Sequence, residues 1–91
     1  MSERMKKFTI ETHYIGAAVG KTQAMYHLVN NTNGIHEHIS KSLEAMFDFC
    51  RFSELGINQE QICLLISDKD KERWNRLSRG YNEFLSIYNN I

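Results

Sequence analysis

The stretch Phe8–Asn31 reads FTIETHYIGAAVGKTQAMYHLVNN, and the repeat of its apolar residues decides the fold class. Counted by twos, Phe8, Ile10, Thr12 and Tyr14 alternate with Thr9, Glu11 and His13, the pattern of a half-buried strand over 7–14. Counted in steps of 4, 3, 4, 3, 4, 3, the residues Phe8, Thr12, Ile15, Val19, Thr22, Tyr26 and Val29 form one side of a helix. The helical pattern runs about three times longer, and longer patterns are the stronger signal. The expectation is a helix over about 9–30, with an initial strand at 7–14 as the alternative. Gly16 and Gly20 would each weaken such a helix by about 1 kcal/mol relative to alanine. They would also set two small residues one turn apart, where another backbone could approach closely.

Beyond this stretch, Asn30-Asn31-Thr32-Asn33-Gly34 reads as a turn. Asn-Gly is also a hairpin signal, but its flanks read as helix. A second helix is expected over about 35–53. Its apolar face holds Ile35, Ile39, Leu43, Met46, Phe47 and Cys50, with Glu37, Lys41, Glu44, Asp48 and Arg51 mostly opposite. Gly56 ends that helix or lies just past it. Asn58 is a good N-cap, Gln61 sits at N3 as in a capping box, and Ile57 can staple to Ile62, so a short helix is expected over 59–66. Ser67 then caps a last helix, 68–90, with Asp68 and Asp70 in its first turn, where the helix dipole favours anions. Glu72 and Arg76 add an i,i+4 pair in the favourable order. Trp74, Leu77, Tyr81, Phe84, Tyr88 and Ile91 repeat at 3, 4, 3, 4, 3, an aromatic-rich seam with a period near 3.5 residues. The expected class is all-α: a small bundle of about four helices behind a short mobile arm, residues 1–7.

Composition narrows the function. A chain of 91 residues is one domain, and buries only about 60–65% of its unfolded surface. Eleven basic and eleven acidic residues cancel, which removes any global pull toward nucleic acid or acidic lipid. Two cysteines make no disulfide framework; Cys50 and Cys63 read as free thiols of a reducing, cytoplasmic compartment. MSERMKKF is charged and no apolar h-region follows it, so no signal peptide is expected. No apolar run reaches 18 residues, so no membrane span is expected. Proline is absent, which favours uninterrupted helices.

Four motifs approach chemistry without reaching it. Gly16-Ala17-Ala18-Val19-Gly20-Lys21-Thr22 resembles a phosphate-binding loop, with Cys63 to Asp68 as its mock second strand, but it has three residues between its glycines where the loop needs four. None of His13, His27, His36 and His38 has a histidine, carboxylate or cysteine at i,i+3 or i,i+4, so a metal would need ligands brought together from different elements. No activating base stands beside either cysteine in the sequence. Gln59 to Arg79 imitates a helix-turn-helix whose second helix offers Arg73, Arg76 and Arg79 to DNA. Against it, Asp68, Asp70 and Glu72 crowd the end that would enter the groove.

The expectation is a non-enzymatic protein–protein interaction module, acting as a homo-oligomer that occupies the surface of an unknown protein partner. It is like small phage- or mobile-element-type inhibitors and adaptors in kind, through size and the lack of catalytic groups. Trp74, Tyr81 and Tyr88, with Arg73, Arg76 and Arg79, are the expected interaction residues, because Tyr, Trp and Arg are enriched at hot spots. No cofactor or metal is expected. A DNA-binding regulator built on 59–79 is the second reading. The third is a protein that sequesters a small anionic ligand between subunits, using Lys21, the arginines and the tyrosines.

Overall fold

A computed structural model describes residues 6–17 and 20–89. Strands β1 (Phe8–Ala17), β2 (Lys21–Asn30) and β3 (Ile35–Ser40) lead into helix α1 (Leu43–Phe52). A 3₁₀ turn (Gln59–Gln61), strand β4 (Ile62–Leu65) and helix α2 (Asp68–Asn89) complete the chain. The strands form one mixed sheet in the order β3-β2-β1-β4, with β1 parallel to β4 and the other pairs antiparallel. The fold is α/β, and the expectation of an all-α bundle of four helices is overturned.

The expected helix over 9–30 is a hairpin, β1 and β2. Its helical template omits Ile10 and Leu28, both 0% exposed, and includes Ile15 and Thr22, which are exposed. The period-two set is the one that is buried. Phe8, Ile10, Tyr26 and Leu28 share a face, and the register sets Ile10 opposite Leu28 and Thr12 opposite Tyr26. The strand alternative at 7–14 is therefore the reading that the structure supports.

The expected helix over 35–53 divides in two. Asn33-Gly34 does make a hairpin turn: Gly34 has φ +75°, and the Asn33 side chain accepts the Ile35 N–H at 2.9 Å. Ile35–Ser40 then runs as β3, and Ser42 stops the strand by accepting the Ala45 N–H at 3.2 Å as the N-cap of α1. Leu43, Met46, Phe47 and Cys50 are buried as expected, but Ile35 and Ile39 are exposed on the strand.

The expected helix over 59–66 is one 3₁₀ turn followed by a strand. Half of its box forms: Asn58 N–H donates to Gln61 Oε1 at 3.2 Å, while Gln61 N–H goes to the Asn58 backbone carbonyl at 2.9 Å, the bond of the turn itself. Ile62 to Leu65 then pair with Phe8 to Glu11 and satisfy an edge of β1 that a helix would leave open.

Helix α2 forms where expected, with Asp70 N–H donating to Ser67 Oγ at 3.2 Å; Asn90 and Ile91 lie outside the described residues. So do residues 1–5 of the expected arm. Lys6 is held by Nζ donating to the Glu60 carbonyl at 2.7 Å, and its own carbonyl accepts from Asn31 Nδ2 at 2.8 Å.

One hydrophobic cluster joins sheet and helices. It comprises Phe8, Ile10, Tyr26 and Leu28 from the hairpin, Ile62 from β4, Leu43, Met46, Phe47 and Cys50 from α1, and Trp74 from α2. Leu77 and Tyr81 pack against its margin. Helix α2 has 22 residues, about 33 Å at 1.5 Å per residue, and it outruns this cluster.

Candidate functional site

The aromatic seam of α2 has two different halves. Trp74 is 2% exposed, meets Phe47 edge to face at 5.1 Å, and donates Nε1–H to Gln59 Oε1 at 2.8 Å. It is a core residue and lies on no surface. Tyr81 is half-buried, 6.3 Å from Phe47 edge to face. Beyond it nothing covers the seam among the described residues. Phe84 is 60% exposed, Ile87 68% and Tyr88 65%, and the Phe84 and Tyr88 rings stack at 6.0 Å.

An open groove of about 330 Å³ adjoins this projecting half, between α1 and α2. Phe47, Leu77, Tyr81 and Phe84 line it, with Asp48, Arg51 and Arg76 among its polar residues. The Arg51 guanidinium lies over three rings, 4.3 Å from Phe52, 4.4 Å from Tyr81 and 5.6 Å from Phe47. Phe52 is itself 72% exposed. Arg51 also donates to Asp48 at 2.9 Å, so its charge is partly spent.

The three arginines part company. Arg73 donates to Glu44 in the first turn of α1, and that bond holds the Glu44 carboxyl below its usual range. Arg76 borders the groove, and Arg79 stands on the outer side of α2. The helix-turn-helix scaffold is absent: residues 59–79 hold a 3₁₀ turn, a strand and one helix. The phosphate-loop scaffold is absent too. Gly16 to Thr22 closes an antiparallel hairpin, whereas such a loop leads from a strand into a helix. Ala18, Val19 and the Lys21 side chain lie outside the described parts.

Tyr26 ties the sheet to α2 by donating its hydroxyl to Asp70 Oδ2 at 2.9 Å. Burial first, then the Asp70 carboxylate, pushes its phenol up to about 12.

A second constellation lies on the sheet face away from the helices. His13 from β1, His27 from β2 and His36 from β3 come together there. Ring centroids are 3.9 Å apart for His13–His27, 5.1 Å for His27–His36 and 6.1 Å for His13–His36. Glu11 Oε1 meets His13 Nε2 at 2.7 Å, and His27 Nδ1 meets His36 Nδ1 at 2.9 Å. Burial, followed by His13 and His36, pushes the His27 imidazole below its usual range. His38, by contrast, stacks on Phe49 of α1 at 4.1 Å.

The sequence reading missed this cluster because it tested only helical offsets. The signal was the period of two, under which Glu11 and His13 share a strand face and His27 becomes their neighbour across the hairpin. Phe52 was missed because it lies off the apolar face read for the second helix, and Arg51 was read there only as one of the charged residues opposite that face.

No protein-family model matches the sequence, and comparison with characterised proteins and with solved structures finds no significant relative.

Proposed function

We propose that this chain is a non-enzymatic interaction protein that works as a homodimer, joined through the projecting half of α2. One observation carries the reading: Phe84 and Tyr88 stand exposed on a seam that keeps coiled-coil spacing past the end of its own core, with the exposed Ile87 beside them. Such a stripe is self-complementary, which suits a two-fold contact in which each copy offers the same patch.

Charge and size both favour a second copy as the occupant. The positions flanking this part of the seam are Ser78, Gly80, Leu85 and Ile87, all uncharged, so two seams close without burying a like-charge pair. Large side chains bury about 150–250 Å² each, so the exposed parts of Phe52, Phe84, Ile87 and Tyr88 come to roughly 500 Å² per chain, twice that for a pair. That reaches the lower bound of about 1,000 Å² for a specific interface. The groove beside Tyr81 supplies a concave partner for the projecting Tyr88 of the second copy.

Cys50 and Cys63 are free thiols, which fits a reducing, cytoplasmic setting. Among the described residues no helix is long and apolar enough to cross a membrane.

Sedimentation equilibrium over a broad concentration range tests the dimer. The expected result is a mass rising from 10.7 kDa to twice that value, with association weakened about 30-fold or more by Tyr88→Ala or Phe84→Ala. A constant 10.7 kDa up to millimolar protein would overturn the proposal.

A further inference from the structure

We infer that His13, His27 and His36, supported by Glu11, bind one divalent transition-metal ion of the Zn²⁺ type on the open face of the sheet. Imidazole is the donor that such ions prefer, and three histidines from three neighbouring strands offer it here.

The register shows how they come to share a face. Leu28 pairs with His38, but Val29 pairs with His36, so Glu37 is an extra residue in β3. Without that bulge His36 would fall opposite Asn30 and point to the helix side, as His38 does. The bulge turns His36 to the open face, beside His27. Bulges re-aim side chains in this way and are over-represented beside functional sites.

The hydrogen bonds prepare the donors. A carboxylate only accepts, so the contact with Glu11 places a proton on His13 Nε2 and makes Nδ1 the nitrogen that an ion would take. A carboxylate behind a histidine is the usual outer-shell support of a metal-bound imidazole. His27 and His36 already turn their Nδ1 atoms on one another at 2.9 Å, sharing one proton between them. Two nitrogens bound tetrahedrally at about 2.0–2.1 Å would stand roughly 3.3 Å apart, so an ion replacing that proton needs an opening of about half an ångström.

No set of three or more ligands has already converged on a point among the described residues. The missing step is a turn of His13 together with its Glu11 partner, whose side chains are 45% and 32% exposed. The ion would then clamp β1, β2 and β3, with water as the fourth ligand and Glu11 behind His13.

The test is isothermal titration of the chelator-treated protein with ZnCl₂, beside native mass spectrometry. The expected result is one Zn²⁺ per chain, with a raised melting temperature. His27→Ala and His36→Ala, each checked for folding by circular dichroism, should weaken binding about 100-fold or more. Glu11→Gln should weaken it about tenfold, the cost of losing outer-shell support. His38→Ala and Cys63→Ser should leave it unchanged. Zn²⁺ binding that survives both His27→Ala and His36→Ala would overturn the assignment. So would binding that disappears in Cys63→Ser, one ion shared by two chains, or no saturable binding up to millimolar Zn²⁺.

Discussion

Replacing Trp74 with alanine separates the two halves of α2 most directly. Trp74 is 2% exposed, fills the space against Phe47, and is the sole tie between α2 and Gln59 among the described hydrogen bonds. Removing a buried indole costs about 3–5 kcal/mol through lost transfer energy and the cavity left behind. The Gln59 oxygen adds little, because Gln59 is exposed and water can replace the indole N–H. A chain of this length has about 5–14 kcal/mol in all. Trp74→Ala should therefore remove about a fifth or more of the stability and lower the melting temperature by about 12 °C or more. Urea unfolding followed by far-UV circular dichroism is the assay, since the variant lacks the single tryptophan that fluorescence would need. Tyr88→Ala, measured at concentrations where the chain is monomeric, should stay within about 0.5 kcal/mol of the parent. A Trp74→Ala loss below about 1 kcal/mol, or an equal loss in monomeric Tyr88→Ala, would refute the division of the seam.

Three further outcomes follow from the structure. The Tyr26 phenol is raised to about 12 in the folded chain against about 10 unfolded, so its contribution is fully present below pH 10 and is lost as pH rises toward 12. Unfolding free energies from urea titrations should fall across that window by about 2 kcal/mol more in the parent than in Tyr26→Phe, and parallel curves would contradict this. Burial pushes the Cys50 thiol up to about 12, so a thiol reagent at pH 7.5 should label only the half-buried Cys63 quickly and reach Cys50 on unfolding; two fast thiols would show that α1 is not packed as described. Gly34→Ala should cost about 1–2 kcal/mol, because φ is +75° while a Cβ would meet nothing within 4 Å, and Gly34→Asn should cost less; an alanine variant as stable as the parent would deny the left-handed turn.

How much of this was legible varies by element. The start of α2 was plain, because Ser67, Asp68 and Asp70 act on backbone groups within one turn. The core face of α1 was plain for the same reason: Leu43, Met46, Phe47 and Cys50 meet at helical spacing whatever surrounds them. Asn33-Gly34 spelled a hairpin turn that its flanks then appeared to deny, and the turn was the better witness. The seam of α2 was legible as a seam, but not as half core and half surface. Spacing alone does not say where the neighbouring sheet stops.

By itself, then, the sequence determined what is local: caps, turns, the faces of the two helices, and a neutral surface without a membrane-spanning helix among the described residues. Tertiary structure decided the rest. Phe8 to Asn30 carries apolar residues at both periods, and only the ladders to β3 and β4 make the period of two the one that is buried. The β1–β2 and β2–β3 ladders, with the bulge at Glu37, brought together three histidines spread over 24 positions of chain, from His13 to His36. A strand cannot satisfy its backbone alone, so its identity and its neighbours are settled between segments and not within one.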